Sequence, residues 1–179
     1  MSYNKEELIS KGKLLAYLLR HDKVAFDNGL IDKNGWRRVD ELIEKYGYTY
    51  QMLEAITATN NKKRYAFSPD KLLIRARQGH SIPADVGLTE ASPPEILYHG
   101  TSLAAYISHI SKEGIKPMSR QFVHLSADYN TAVTVGKRHG GNPYVIKIDT
   151  RRMLENNYKF WLSENGVWLT KEVPTGYFI

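Results

Sequence analysis

The sequence predicts an α+β protein built as two lobes, and three observations carry that expectation. Apolar residues recur at helical spacing three times before residue 60, and two short strand-like runs follow, split by Ser68-Pro69-Asp70. Beyond residue 95, apolar runs of strand length alternate with helical segments. Between the two regions IPADVGLTEASPPE, from Ile82 to Glu95, holds three prolines and no strong apolar period, which is the composition of a connection. The expected organisation is therefore a first lobe over residues 1–81, a linker over 82–95 and a second lobe over 96–179.

In the first lobe Leu8, Leu15, Leu18 and Leu19 mark a helix from about Lys5 to Arg20. Val39, Leu42, Ile43 and Tyr46 mark a second, ended by Gly47, and Tyr50, Leu53 and Ile56 a third, from Tyr50 to Thr59. Arg64 to Phe67 and Leu72 to Arg77 read as strands joined by the turn-forming triplet. Three helices and a hairpin make a winged-helix-like module. In the second lobe the pattern predicts a strand at Ile96 to His99, a helix from Leu103 to Glu113 stopped by Gly114, a strand at Phe122 to Ser126, a helix near Tyr129 to Lys137 and a strand at Tyr144 to Ile148. Phe160 to Leu162 and Val167 to Thr170 bracket Asn165-Gly166, the dipeptide of tight two-residue hairpin turns.

Composition limits the chemistry. With 179 residues, 42% of them hydrophobic, the chain can bury a sizeable core. It has no cysteine, which removes disulfides, thiolate metal sites and a cysteine nucleophile, so catalysis must rest on His, Arg, carboxylates or hydroxyls. No metal is expected. No run approaches the roughly 18 apolar residues of a membrane span, and Met1 to Lys13 is polar, so a soluble, cytoplasmic protein is expected; a monomer is expected as well, although no sequence feature decides the oligomeric state. The net charge of +6 divides evenly, since residues 1–94 carry 15 basic and 12 acidic side chains and residues 95–179 carry 10 and 7. An even excess without a basic tail suits an anion held in a cleft better than general coating of nucleic acid. There is neither a Walker A loop nor a GxGxxG fingerprint.

Two constellations stand out. His99-Gly100-Thr101 follows the apolar run Ile96-Leu97-Tyr98, where a strand giving way to a polar turn can hold a nucleotide with backbone groups and one imidazole. Arg20-His21, Arg64 and Arg120 each border an apolar segment, as expected of side chains gathered by folding around one anionic group. Guanidinium forks are permanently charged and match phosphate oxygens two at a time. Taken singly, Arg20 reads as a helix C-terminal charge, Arg64 and Arg120 as solvated loop charges, and His124, between Val123 and Leu125, as a core histidine.

Eight motifs then occur together in one order: LLRHD (Leu18 to Asp22), NGW (Asn34 to Trp36), KKRYAFS (Lys62 to Ser68), IRARQGHS (Ile74 to Ser81), LYHGT (Leu97 to Thr101), RQFVHLSAD (Arg120 to Asp128), KRHG (Lys137 to Gly140) and ENGVWLT (Glu164 to Thr170). In these the chain resembles the NAD-dependent RNA 2′-phosphotransferase family over nearly its whole length. The resemblance implies a winged-helix lobe followed by an ADP-ribosyltransferase-like lobe. It also implies that RNA carrying a 2′-phosphate, tRNA-like, reacts with NAD to give nicotinamide, 2′-hydroxyl RNA and ADP-ribose 1″,2″-cyclic phosphate. By motif position Arg20, His21, Arg64 and Arg120 would be catalytic, with His21 the candidate for proton transfer. His99, Gly100, Thr101, His124, Ser126 and Arg138 would contact NAD, the small residues allowing close backbone approach.

The chain departs from the family pattern after Arg20-His21, where DKVAFDNGLID replaces the more usual Lys-Pro, and at Gln121, where a histidine or threonine is common. Protein-modifying ADP-ribosyltransferases carry a late glutamate that orients the ribose. Here the matching strand reads Val167-Trp168-Leu169, in keeping with a nucleophile that is already anionic. Arg75 and Arg77, which share a strand face, read either as tracking an RNA backbone or as keeping an exposed edge strand soluble. Two rival functions remain at this level: ADP-ribosyl transfer to protein or to nucleic-acid terminal phosphates, and a non-enzymatic winged-helix regulator. The regulator is disfavoured because Tyr50 to Thr59 contains no Arg or Lys to reach phosphates or guanine edges.

Overall fold

Asn4 starts the first helix by accepting a hydrogen bond from the Glu7 N–H at 2.7 Å, and α1 then runs over Lys5–Arg20. The computed structural model describes residues 3–58 and 63–179. Met1 and Ser2, the expected helix end at Thr59 and the Lys62 that opens KKRYAFS lie outside the described residues. Two compact units divide the chain, Met1–Gly87 and Leu88–Ile179. The architecture is α+β: among the described residues every strand pairing is antiparallel, in sheets of three, four and two strands.

In the first unit α1 buries Leu15, Leu18 and Leu19 at about 1.5–3 kcal/mol each. They meet Val39 and Leu42 of α3 (Val39–Tyr46), Met52, Leu53 and Ile56 of α4 (Tyr50–Ala58) and Ile74 of the sheet. Gly47 ends α3 with φ +63°, the left-handed conformation that suits glycine at this position. The sheet is formed by β1 (Arg37–Arg38), β2 (Tyr65–Phe67) and β3 (Leu73–Ala76), with Phe67 and Arg37 both opposite Ile74. β3 is thus the central strand, which removes the edge-strand reading of Arg75.

A short helix that periodicity did not predict, α2 (Lys23–Asp27), fills the DKVAFDNGLID stretch, started by the Asp22 carboxylate accepting from the Ala25 N–H at 3.0 Å. The other face of Asp22 binds Arg37. Arg37 is 1% exposed and donates to the Leu18 carbonyl, Asp22, both Glu41 oxygens and the Tyr46 hydroxyl at 2.7–3.1 Å. Burial opposes its charge, yet the hydrogen bonds to Glu41 and Asp22 prevail and raise its pKa above the ordinary arginine value.

The stretch expected to be a connection is packed rather than loose. Ile82, Ala84 and Val86 are buried alternately in the first unit, and Thr89–Glu90 forms β4 in the second, where it pairs with β8 (Phe160–Leu162).

The second unit centres on β5 (Ile96–Ser102) and β7 (Pro143–Asp149), paired over seven residues with His99 opposite Ile146 and Thr101 opposite Tyr144. The expected helix from Leu103 to Glu113 exists in three pieces: α5 (Leu103–Ala105), a π-helical turn (Tyr106–Ile110) and α6 (Ser111–Glu113). β6 (Val123–Leu125) pairs with β9 (Trp168–Thr170), and α7 (Tyr129–Gly136) continues into a 3₁₀ turn at Lys137–His139. One further helix, α8 (Thr150–Glu155), follows β7 directly.

The late hairpin is longer than its Asn-Gly dipeptide suggested. Ser163 N–H donates to the Val167 carbonyl, and Gly166 N–H donates back to Ser163, leaving a three-residue loop with Gly166 at φ +78°. The glycine therefore serves as the left-handed closing residue of a longer turn, while the Ser163 hydroxyl accepts from the Val167 N–H at 3.0 Å.

Candidate active site

At the C-terminal end of α1 the last carbonyls lack helical partners. The Arg20 carbonyl finds two outside the helix, the N–H groups of Ser81 at 3.0 Å and Ile82 at 3.3 Å. These bonds bring the segment after β3 against the Arg20-His21 pair. Ser81 Oγ lies 3.0 Å from His21 Nδ1 and 3.4 Å from the Arg20 carbonyl. His80, its neighbour, is 4% exposed, and its Nε2 has no hydrogen-bond partner among the described residues. Burial first, then the charges of Arg20, His21 and Arg75, push the His80 pKa down to about 4, so this imidazole is neutral at physiological pH.

Tyr65 links the remaining arginine. The Arg20 guanidinium sits 5.7 Å from the Tyr65 ring centroid, and the Tyr65 hydroxyl, raised in pKa by burial, is pulled back by the charges of Arg20 and Arg64. Arg64 immediately precedes β2, and its carbonyl accepts from the Arg77 N–H at 2.9 Å. Arg75 lies over the Trp36 ring at 4.5 Å, and Arg77 donates to the Tyr65 carbonyl. The first unit thus gathers Arg20, His21, Arg64, Arg75 and two neutral side chains, His80 and Tyr65, from chain segments far apart in sequence.

In the second unit Leu97, His99 and Thr101 point to one side of β5 while Tyr98, Gly100 and Ser102 point to the other, which α7 covers. A Cβ on Gly100 would stand 1.8 Å from the Ala132 carbonyl oxygen and 2.9 Å from the Gly136 nitrogen. The missing side chain of Gly100 is therefore accounted for by helix packing. Thr101 is buried, and Ser102 caps α5 by accepting from the Ala105 N–H.

His99 Nδ1 lies 3.1 Å from the His124 carbonyl, and because a carbonyl only accepts, Nδ1 carries the proton and Nε2 offers a lone pair. Burial lowers the His99 pKa, the His124 carbonyl opposes this, and the charges of His139 and Arg120 lower it further, so His99 is held neutral. Those two residues are hence its neighbours, although both are exposed. His124 projects away from the buried Val123 and Leu125, with Nδ1 donating to the Phe122 carbonyl at 3.1 Å, so it is not a core histidine. Ser126 joins β6 to β5 through paired backbone bonds with Tyr98, and its hydroxyl closes the turn to Asp128, the N-cap of α7. Arg138 is exposed on the 3₁₀ turn.

Three roles are not legible in the sequence. Arg37 looked like any surface arginine, Ser81 gave no sign of its partner 60 residues away, and His139 was assigned no role although its charge reaches His99. Ser81 and His139 carry a signal, their places in IRARQGHS and KRHG; Arg37 has none. Among the described residues no group of three or more His, Asp or Glu side chains could hold a metal, and no helix is long and apolar enough to cross a membrane.

The model of the RNA 2′-phosphotransferase, Tpt1 / KptA family matches residues 5–172. A Fusobacterium nucleatum protein named "Probable RNA 2′-phosphotransferase" is 51% identical over 172 residues, covering 93% of this chain and 95% of its own. Proteins of the same name from Flavobacterium johnsoniae and Escherichia coli O139:H28 are 45% and 40% identical, each over at least 93% of both chains.

Proposed function

The chain belongs to the RNA 2′-phosphotransferase family, and from that premise we propose that it moves an RNA 2′-monophosphate to NAD in two steps. The first unit is read as a winged-helix-like RNA lobe, and the second as an ADP-ribosyltransferase-like lobe that takes NAD as co-substrate. The observation that carries this reading is the cationic cluster of the first unit. Arg20, Arg64 and Arg75 come from separate segments and gather around Tyr65 and His80, which places several guanidinium forks suited to phosphate oxygens close together.

In the first step a phosphate oxygen of the RNA attacks the anomeric carbon of the nicotinamide ribose, and the bond to nicotinamide breaks. A phosphate dianion needs no base for this. In the second step the adjacent ribose hydroxyl attacks phosphorus, the bond to the RNA 2′-oxygen breaks, and that oxygen takes up a proton. His21 accepts the hydroxyl proton, while Arg20 and Arg64 stabilise charge on the non-bridging oxygens; Arg120 is assigned to the same task by its motif position alone.

The second unit has groups that fit a dinucleotide. His99 presents a neutral imidazole whose Nε2 can accept from a ribose hydroxyl, Thr101 follows on the same strand face, and the exposed Arg138 would meet a pyrophosphate. Gly100 would contribute its backbone. Incubating the protein with a 2′-phosphorylated oligonucleotide and NAD, then weighing both products by mass spectrometry, tests the proposal. It requires a loss of one phosphate from the RNA together with ADP-ribose cyclic phosphate. A stable ADP-ribosylated RNA as the end product would instead identify a transferase that stops after the first step.

A further inference from the structure

The His21 imidazole and the Ser81 hydroxyl are joined at 3.0 Å, and the same hydroxyl lies 3.4 Å from the Arg20 carbonyl. A serine hydroxyl has one proton to give and can also accept. The Arg20 carbonyl, which can only accept, provides a place for that proton. If the serine donates to the carbonyl, it accepts from Nδ1–H of His21, and Nε2 is left with the lone pair. This arrangement survives proton uptake, because the imidazolium also needs an acceptor at Nδ1. The opposite arrangement, with serine donating to Nδ1, would have to break whenever His21 became charged.

The position of the hydroxyl is fixed by backbone rather than by its own bonds. The Ser81 and Ile82 N–H groups are both held on the Arg20 carbonyl, and His80 on one side and Ile82 on the other are buried. Ser81 itself is exposed, so its hydroxyl contributes little to the fold.

We propose that Ser81 is a positioning residue for the phosphotransfer: it accepts the Nδ1 proton of His21 and so dedicates His21 Nε2 to removing the ribose hydroxyl proton in the second step. This rests on the reading of His21 as the proton acceptor given above. The tautomer of a catalytic histidine is set by the bond its other nitrogen makes, and here that bond comes from the segment after β3.

Two measurements on the full chain test it. In ¹⁵N–¹H correlation spectra, with the His21 signals identified by their loss in His21→Gln, the wild type is expected to show the Nδ1–H tautomer. Ser81→Ala moves His21 to the Nε2–H form or an exchanging mixture, and Ser81→Thr restores Nδ1–H. In single-turnover reactions with a 2′-phosphorylated oligonucleotide and NAD, Ser81→Ala slows the second step about tenfold, part of the ~10²–10⁴-fold typical of general acid–base catalysis. ADP-ribosylated RNA accumulates, the first step stays within about twofold, and Ser81→Thr recovers most of the rate.

A wild-type His21 in any other tautomeric state overturns the proposal, as does an equal effect of Ser81→Ala on both steps or no effect at all. His21→Ala separates the two levels of inference. If it slows only the second step while Ser81→Ala behaves as wild type, the positioning role alone fails. If it slows both steps equally, the base reading fails and the role of Ser81 falls with it.

Discussion

The backbones of Gly100 and Ala132 touch: a Cβ on the glycine would lie 1.8 Å from the alanine carbonyl oxygen, far inside any van der Waals contact. α7 is therefore laid directly on β5, in the strand that also carries His99 and Thr101. A feature that resembles a ligand cradle in the sequence is a packing requirement between two rigid elements.

Gly100→Ala is accordingly expected to destabilise the second unit by about 3 kcal/mol or more, because the obstacle is backbone that cannot rotate away. Urea unfolding followed by tryptophan fluorescence measures this, as Trp161 and Trp168 both lie in this unit. A variant as stable as wild type, with NAD affinity alone reduced, would assign the glycine to the ligand instead.

Arg37→Ala should cost the first unit about 3–5 kcal/mol, since Asp22 and Glu41 would be left as poorly hydrated charges. Arg37→Lys should recover only part, because one ammonium cannot reproduce the guanidinium's bonds to two carboxylates, a carbonyl and a hydroxyl. Hydrogen bonding to Arg37 holds the Glu41 pKa below its ordinary 4.5. The Glu41 contribution is thus fully present above that value and is lost as the pH falls through the lowered one. Equal denaturation midpoints for wild type and Arg37→Ala would refute the structural role.

His80 makes a separate pH prediction. Its folded pKa of about 4 lies below the ordinary 6.5, so between those values the unfolded chain binds the extra proton. Its contribution is fully present above pH 6.5 and decays as the pH falls toward 4, by an amount on the order of 3 kcal/mol. Chemical denaturation at pH 7.5 and pH 5 should show a smaller loss in His80→Gln than in wild type. Identical losses in the two proteins would mean that His80 does not titrate in this way.

Arg120 is exposed in the turn before β6, so Arg120→Ala should leave the unfolding midpoint unchanged while lowering kcat/KM about 10²-fold. Arg120→Lys should remain well below wild type if a forked contact to phosphate is what matters. Steady-state assays with 2′-phosphorylated RNA decide it. Full activity in Arg120→Ala would remove this residue from the catalytic set.

Features governed by neighbours in sequence were legible. The span of α1, from the Asn4 cap through Leu15, Leu18 and Leu19 to Arg20, follows from a capping side chain and a 3.6-residue period. The end of α3 at Gly47 is equally local. Very short elements were not legible: α2, β1, β4 and α8 span two to six residues, too few for a period to emerge. The Asn165-Gly166 turn was recognised but given the wrong length, because the partner strand, rather than the dipeptide, decides which residues close the loop.

The candidate site divides along the same line. Residue types and their ordered motifs were enough to single out Arg20, His21, Arg64, Arg120 and the His99-Gly100-Thr101 run, since chemistry at phosphate restricts the side chains that can serve. They could not tell that β3 is a central strand, that Arg37 is a buried tie, that Gly100 is occupied with α7 or that Ser81 meets His21. Helical periods and caps arise from groups within a few residues of one another, whereas burial, strand order and the partner of an imidazole nitrogen are set by segments that meet only when the chain folds.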